Sequence, residues 1–177
     1  MPDTGGDDDA QVQGFTVNGI PEAAALAGIY QVRATDPLVW SSGQPTVAQL
    51  HAIAAAGFST VINLALHDDP RYSLPDEAAT VASLGMQYLH IPVQFAAPTR
   101  ADLLAFFAAM QGHCGEKVWL HCAANIRVSA FLGLHRVMNL GWERSAAFAQ
   151  MDELWQPDAV WSSFIAAMLE TPHGGLP

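Results

Sequence analysis

Cys122 and Arg127 are the residues best placed to do chemistry. Both lie in the stretch Lys117-Val118-Trp119-Leu120-His121-Cys122-Ala123-Ala124-Asn125-Ile126-Arg127-Val128-Ser129. Lys117 to Leu120 is a short run with a β-branched and an aromatic residue, the length of a buried strand. From Arg127 to Leu140 apolar residues occur almost all round with no breaker before Gly141, which predicts a buried helix ended by a glycine cap. The turn between them holds a thiol, a guanidinium and no carboxylate. A strand that turns tightly into a helix aims main-chain N–H groups at one point, with the positive helix end behind them. Here those groups belong to Ala123, Ala124, Asn125, Ile126, Arg127 and Val128. Such a point takes an anion. N–H dipoles and a nearby guanidinium also favour the thiolate of Cys122, making it a nucleophile at neutral pH. Arg127 can hold two oxygens of a phosphate in a bidentate fork. Ser129, one turn into the helix, is placed to donate its hydroxyl to a departing thiolate. His121 is expected to fix the loop by hydrogen bonds rather than to react.

The stretch resembles the phosphate-binding loop of the cysteine-based protein tyrosine and dual-specificity phosphatases. In that superfamily a strand ends in His-Cys, five residues follow, and then Arg and Ser or Thr. His121 and Cys122 match, and Ser129 keeps its offset from the cysteine. Asn125 stands where the family usually has glycine, and Asn is the residue that next best tolerates a left-handed backbone. Arg127 comes one residue early, about 100° of rotation on a helix, so its guanidinium must reach an anion by another route. The shorter spacing is similar to a bacterial branch of phosphatase-like proteins related to the domain fused to beta-lactamase-hydrolase-like proteins. That likeness extends to Ser42-Gly43-Gln44-Pro45-Thr46 and His90-Ile91-Pro92-Val93, and covers roughly residues 25 to 170. It implies a cysteine-dependent phosphatase acting on a phosphomonoester through a phosphocysteine, without cofactor or metal. The partner would be a phosphorylated small molecule or phosphoprotein, and phosphate or sulfate would occupy the loop. One family feature is missing. The loop that usually supplies an acid for the leaving group reads Gln94-Phe95-Ala96-Ala97-Pro98-Thr99.

The elements that must position this loop follow a strand–helix alternation. A short helix is expected over Ile20–Ala27, and paired strands over Gly28–Arg33 and Leu38–Ser41. Thr46 is placed to cap a helix from Val47 to Ala56. Thr60–Leu66 reads as a core strand, Glu77–Leu84 as a helix opened by Asp76, and Gln87–Val93 as a strand in which His90 is a packed sheet residue. Thr99 should cap an amphipathic helix burying Leu103, Leu104, Phe106, Phe107 and Met110. Helices over Glu143–Leu154 and Ala159–Leu169 should cover the sheet. Trp155-Gln156-Pro157-Asp158 reads as the turn between them, with Pro157 starting the second helix and Asp158 in its first turn. Together these predict a three-layer αβα, dual-specificity-phosphatase-like fold with a mostly parallel sheet of four or five strands. The active loop belongs at the carboxyl edge of that sheet. On the same edge lies His67-Asp68-Asp69-Pro70-Arg71, where Asp68 or Asp69 is a candidate general acid against the plainer reading of a polar surface loop.

The chain has 177 residues, 51% of them hydrophobic and 14% charged. That suits one phosphatase-like domain over residues 15–170, between an acidic tail (1–14) and a frayed end (171–177). The net charge of −10 disfavours nucleic acid and anionic membranes as partners. No signal peptide or membrane span is legible, two cysteines make no disulfide framework, and an active thiolate needs a reducing compartment. Cytoplasm is therefore expected. Cys114 reads as a turn cysteine, with a protective disulfide to Cys122 as the alternative. Two other functions use the same loop. A rhodanese-like sulfurtransferase would carry a persulfide on Cys122, and a pseudophosphatase would bind phosphate or a phosphoprotein without turnover.

Overall fold

The structure, a computed structural model, describes residues 16, 17 and 20–171. The tails expected over 1–14 and 171–177 lie outside them, apart from Thr171. Strands β1 (Thr16–Val17) and β2 (Ile20–Pro21) pair antiparallel and lead into helix α1 (Glu22–Ala27). Strands β3 (Arg33–Ala34) and β4 (Val39–Ser42) form an antiparallel pair in which Arg33 faces Ser41. Asp36 turns the chain between them, its Oδ1 accepting the N–H groups of Leu38 and Val39 at 2.8 Å. The strand expected over Gly28–Arg33 is a correction: only its last residue pairs. Gln31 instead takes a left-handed φ of 52°, and the main chain around it is used to hold other loops.

Then come α2 (Val47–Ala55), β5 (Thr60–Asn63), α3 (Glu77–Ser83), β6 (Gln87–His90), α4 (Arg100–Gly112), β7 (Val118–His121), α5 (Ile126–Leu140), α6 (Arg144–Leu154) and α7 (Ala159–Glu170). The helix starts are written locally. Thr46 and Thr99 each close a full capping box, with Gln49 and Asp102 respectively. Asp158 is the N-cap of α7, its carboxylate taking the N–H of Trp161, so that helix starts two residues later than the proline suggests. Gly141 ends α5 at φ 69°.

The main sheet has the order β3-β4-β7-β5-β6, parallel except for β3. All four residues of both β5 and β7 are buried, as central strands covered on both faces must be. Alternation along the strands divides the interior in two. Val61 and Trp119 face α1, α2 and α3, meeting Leu26, Leu50, Ile53 and Val81. Ile62, Val118 and Leu120 face the other layer, α4 to α7, with Phe106, Phe131, Phe148 and Trp161. In α4, Leu103, Phe106 and Phe107 are buried, while Leu104 is 40% exposed. Every residue of α5 from Val128 to Arg136 is buried, so this helix is enclosed rather than amphipathic. Gly133 lets α6 lie against it: a Cβ there would come within 2.3 Å of the Phe148 ring.

His135 of α5 is buried against the rings of Phe106 and Phe107. Burial, helped by the neighbouring charge of Arg136, pulls its pKa from 6.5 to about 4. Between those values the unfolded chain binds a proton that the folded chain refuses. Stability is therefore complete above pH 6.5 and falls as pH drops toward 4, by about 3 kcal/mol. Urea unfolding above pH 6.5 and near pH 4 should show that loss, and His135→Asn should remove most of the difference while lowering the starting stability.

Candidate active site

Cys122 follows β7 at the carboxyl edge of the sheet, between the ends of β4 and β5. It is 1% exposed and packs in the α4–α7 core. Its N–H donates to the Ser42 carbonyl at 3.4 Å. Beyond it the loop is latched to the segment after β4. Gly43 bridges Ala124, Gln44 donates its N–H to the Ala123 carbonyl at 3.1 Å, and Gly43 donates to the Tyr30 carbonyl at 2.7 Å.

Asn125 closes the turn in the left-handed region, at φ 62°. A residue preceding a helix usually turns its side chain onto the first N–H groups. Asn125 does not. Its Nδ2 donates instead to the Gln31 carbonyl at 2.9 Å and to Ser41 Oγ at 3.0 Å. Among the described residues, the N–H groups of Ile126, Arg127 and Val128 have no protein acceptor. The start of α5 thus presents three adjacent, unsatisfied donors with the positive end of the helix behind them.

Arg127 stands half-buried beside these donors. Its Nη1 donates to the carbonyl of Val93, just past β6, at 2.9 Å, and its other two guanidinium nitrogens have no partner among the described residues. The side chain therefore leans toward the β6–α4 connection, the route left open by the shorter spacing from the cysteine. Ser129 differs from its expected role. Its hydroxyl donates to the Ile126 carbonyl at 2.8 Å and accepts from Trp155 Nε1 at 3.1 Å. A hydroxyl has one hydrogen to give, and here it braces the first turn of α5 rather than pointing at the thiol.

His121 precedes the cysteine and, by strand alternation, points to the opposite layer, toward α3. Its Nε2 lies 2.7 Å from Glu77 Oε1, with both side chains fully buried. At this separation the imidazole and the carboxylate are in direct polar contact. Gln44 Nε2 also reaches Glu77 Oε1 at 3.3 Å, while Asn63 Nδ2 and the Tyr88 hydroxyl reach Oε2 at 3.2 and 3.4 Å. Burial pushes the Glu77 pKa up, but the charge and hydrogen bond of His121, the Gln44 donor and the charge of His67 outweigh it, and the net shift is downward. Sequence reasoning missed this cluster, because Glu77 looks like an ordinary first residue of a helix.

The loop after β5 holds the two candidate acids. Asp69 is clamped by Arg71 at 2.7 Å, and those hydrogen bonds hold its pKa at about 2. It is an anion at neutral pH with no proton to give, which corrects its candidacy. Asp68 is exposed. The disulfide alternative for Cys114 also fails. Cys114 is exposed before β7 and Cys122 is buried after it. An extended strand advances about 3.3 Å per residue, which separates the two thiols far beyond disulfide reach. Among the described residues, no cluster of three or more His, Cys, Asp or Glu side chains could hold a metal ion, and no helix is long and apolar enough to cross a membrane.

A parallel three-layer sheet with a cysteine loop feeding an open helix start defines the dual-specificity-phosphatase class of fold. Residues 25–159 match the family described as the DSP-PTPase phosphatase fused to NAD+ kinase, and the chain belongs to that family. No curated protein sequence matches it. Among solved structures it is similar to a candidate phosphatase (DUF442) from Shewanella putrefaciens CN-32. That likeness has 32% identity and a TM-score of 0.73, over 82% of this chain and 95% of that one. Tk-PTP shares the fold at 23% identity and TM-score 0.63, over 79% of this chain and 94% of its own. P. aeruginosa TpbA does so at 18% identity and TM-score 0.62, over 78% and 84%. These findings place the chain in a phosphatase family.

The latch behind the loop is tight enough to test. A Cβ on Gly43 would lie 2.6 Å from the Tyr30 ring and 2.7 Å from the Ala123 carbonyl. Gly43→Ala must therefore displace the loop, at a cost of about 1–3 kcal/mol. The urea midpoint should fall accordingly, and calorimetric titration with phosphate should show weaker binding.

Proposed function

We propose that the chain hydrolyses phosphomonoesters through a phosphocysteine on Cys122. The observation that carries this reading is the uncapped start of α5: Asn125 leaves three N–H donors open directly after the cysteine loop. The phosphoryl oxygens would take those donors, with the loop amides of Ala123 and Ala124 and the free nitrogens of Arg127 completing the shell. The Cys122 thiolate attacks phosphorus, the P–S bond forms, and the ester P–O bond breaks. Water then attacks the phosphocysteine, the P–S bond breaks, and inorganic phosphate leaves with the thiolate restored.

The departing oxygen needs a proton or a stable anion. Asp69 is already deprotonated, Asp68 is exposed to solvent, and the loop 94–99 holds no acid. Phenolic esters, whose leaving group departs as an aryloxide and takes its proton from water, are thus favoured over alkyl phosphates. The rim fits an aryl group. Phe95 is 38% exposed and its ring lies 6.1 Å from that of Trp155. Arg127 is bonded two residues before Phe95, and Ser129 to Trp155, so both rings flank the first turn of α5. P. aeruginosa TpbA, which shares the fold, has been solved in complex with phosphotyrosine.

Cys122→Ser should abolish release of phosphate from an aryl phosphate under reducing conditions, while calorimetry still detects phosphate in the loop. Wild-type protein that binds phosphate but turns over no aryl ester would instead be the non-catalytic binder. Phe95→Ala should raise KM for an aryl phosphate about 2- to 10-fold with kcat nearly unchanged, the range expected for one lost aromatic contact. Steady-state kinetics on aryl and alkyl phosphates side by side would show whether the ring serves the leaving group.

A further inference from the structure

The phosphoryl chemistry lies on one face of the sheet, and the strongest polar cluster lies on the other. Cys122 belongs to the α4–α7 layer, while His121 and Glu77 meet beneath α3. Glu77 is the first residue of α3. It is fixed there by Asp76, whose φ of 53° turns the chain sharply into the helix.

The carboxylate of Glu77 gathers one group from each of the four parallel strands or the segment just after it. Gln44 comes from the segment after β4, Asn63 from β5, Tyr88 from β6 and His121 from β7. His67, from the loop after β5, stands 3.9 Å from Oε2 and stacks on His90 at 4.2 Å between ring centroids. Two of these contacts lead straight into the active loop. His121 is bonded to Cys122 through the chain, and Gln44 donates its N–H to Ala123. Glu77 thus grips the loop at its entry and one residue past the thiol.

Stability alone is a poor reason for such a group. A buried carboxylate loses its hydration, and a buried ion pair is often no better than well-packed apolar side chains in the same space. What five polar contacts supply, and a leucine could not, is direction.

We propose that Glu77 is a positioning residue that acts through His121 and Gln44 to hold the Cys122 loop, and with it the orientation of the loop amides. The inference rests on the phosphatase reading and extends it to the layer behind the loop. Glu77 touches neither substrate nor thiol. Replacing it by glutamine leaves the shape but removes the negative charge and turns one of the two acceptor oxygens into a donor, so the donors on Oε1 and those on Oε2 can no longer both be met. The loop amides then lose their fixed orientation, and a thiolate at Cys122 would have fewer aligned dipoles beside it.

The test uses the full chain in a Cys114→Ser background, so that one thiol reports. The pH titration of thiolate ultraviolet absorbance needs neither substrate nor access to the sulfur. Glu77→Gln should move that titration up by about one pH unit, a tenfold loss of thiolate at a given pH, and lower kcat for an aryl phosphate about tenfold or more, with a smaller change in KM. Tyr88→Phe removes one donor to Oε2 without uncovering a charge. It should shift the titration the same way by less, and stands in if Glu77→Gln does not fold. An unchanged thiolate titration in a folded variant would overturn the proposal, even if thermal stability has dropped. The two readings fail separately. A wild type that turns over no aryl phosphate counts against the hydrolase, while the titration still decides the role of Glu77.

Discussion

Everything at the site depends on where Asn125 directs its amide. Had that side chain folded back onto the N–H groups of α5, as most residues before a helix do, it would have taken one of the open donors and filled the space in front of the others. Its Nδ2 is held away by Gln31 and Ser41. Ser41 is in turn gripped by Gln150 from α6 at 2.8 Å. Gln31 can offer its carbonyl because its own backbone turns left-handed. Glycine would reach the same φ more easily but would lose both tethers. The asparagine therefore does two jobs, tolerating the turn and fastening it to two other segments, and the open helix start follows from the second.

Strand alternation separates the chemistry from its support. Cys122 and His121 are neighbours in sequence, yet period two sends them to different layers. The thiol sits in an apolar core of α4 to α7, where few polar groups compete for it. The imidazole reaches into a polar pocket beneath α3, where Gln44, Asn63 and Tyr88 donate to Glu77. An arrangement with both on one face would have forced the thiol and the carboxylate together, and a nearby anion disfavours a thiolate. The sheet between them keeps the carboxylate from facing the sulfur.

Features of the fold that are written locally were legible in the sequence. The apolar run before His121, the unbroken helix to Gly141 and the caps at Thr46 and Thr99 each depend on residues within a turn or two, and each appears as expected. Non-local features were not. Gly28 to Arg33 alternates like a strand, but its main chain is taken by the loop, and tertiary contacts override the pattern. Glu77 follows an aspartate in a polar stretch, and its partners at 44, 63 and 121 come from three strand ends that no spacing rule connects. Asp69 shows the opposite failure. An acid in a loop at the sheet's carboxyl edge looks catalytic, but Arg71, two residues on, holds it as an anion.

The overall charge and the site point in opposite directions, and distance decides between them. A chain with net charge −10 repels an approaching phosphate, but such repulsion between exposed charges is screened beyond about 8 Å at physiological salt. The donors of Ile126, Arg127 and Val128 act at contact range, in a loop walled by buried residues where water screens little. The field of the whole surface governs how often an anion arrives, and the loop governs how it is held. The acidic exterior therefore tells against nucleic acid as a partner without telling against phosphate in the pocket. An anion site in an acidic protein is consistent because backbone amides, whose partial charges do not count toward the net charge, supply most of its donors.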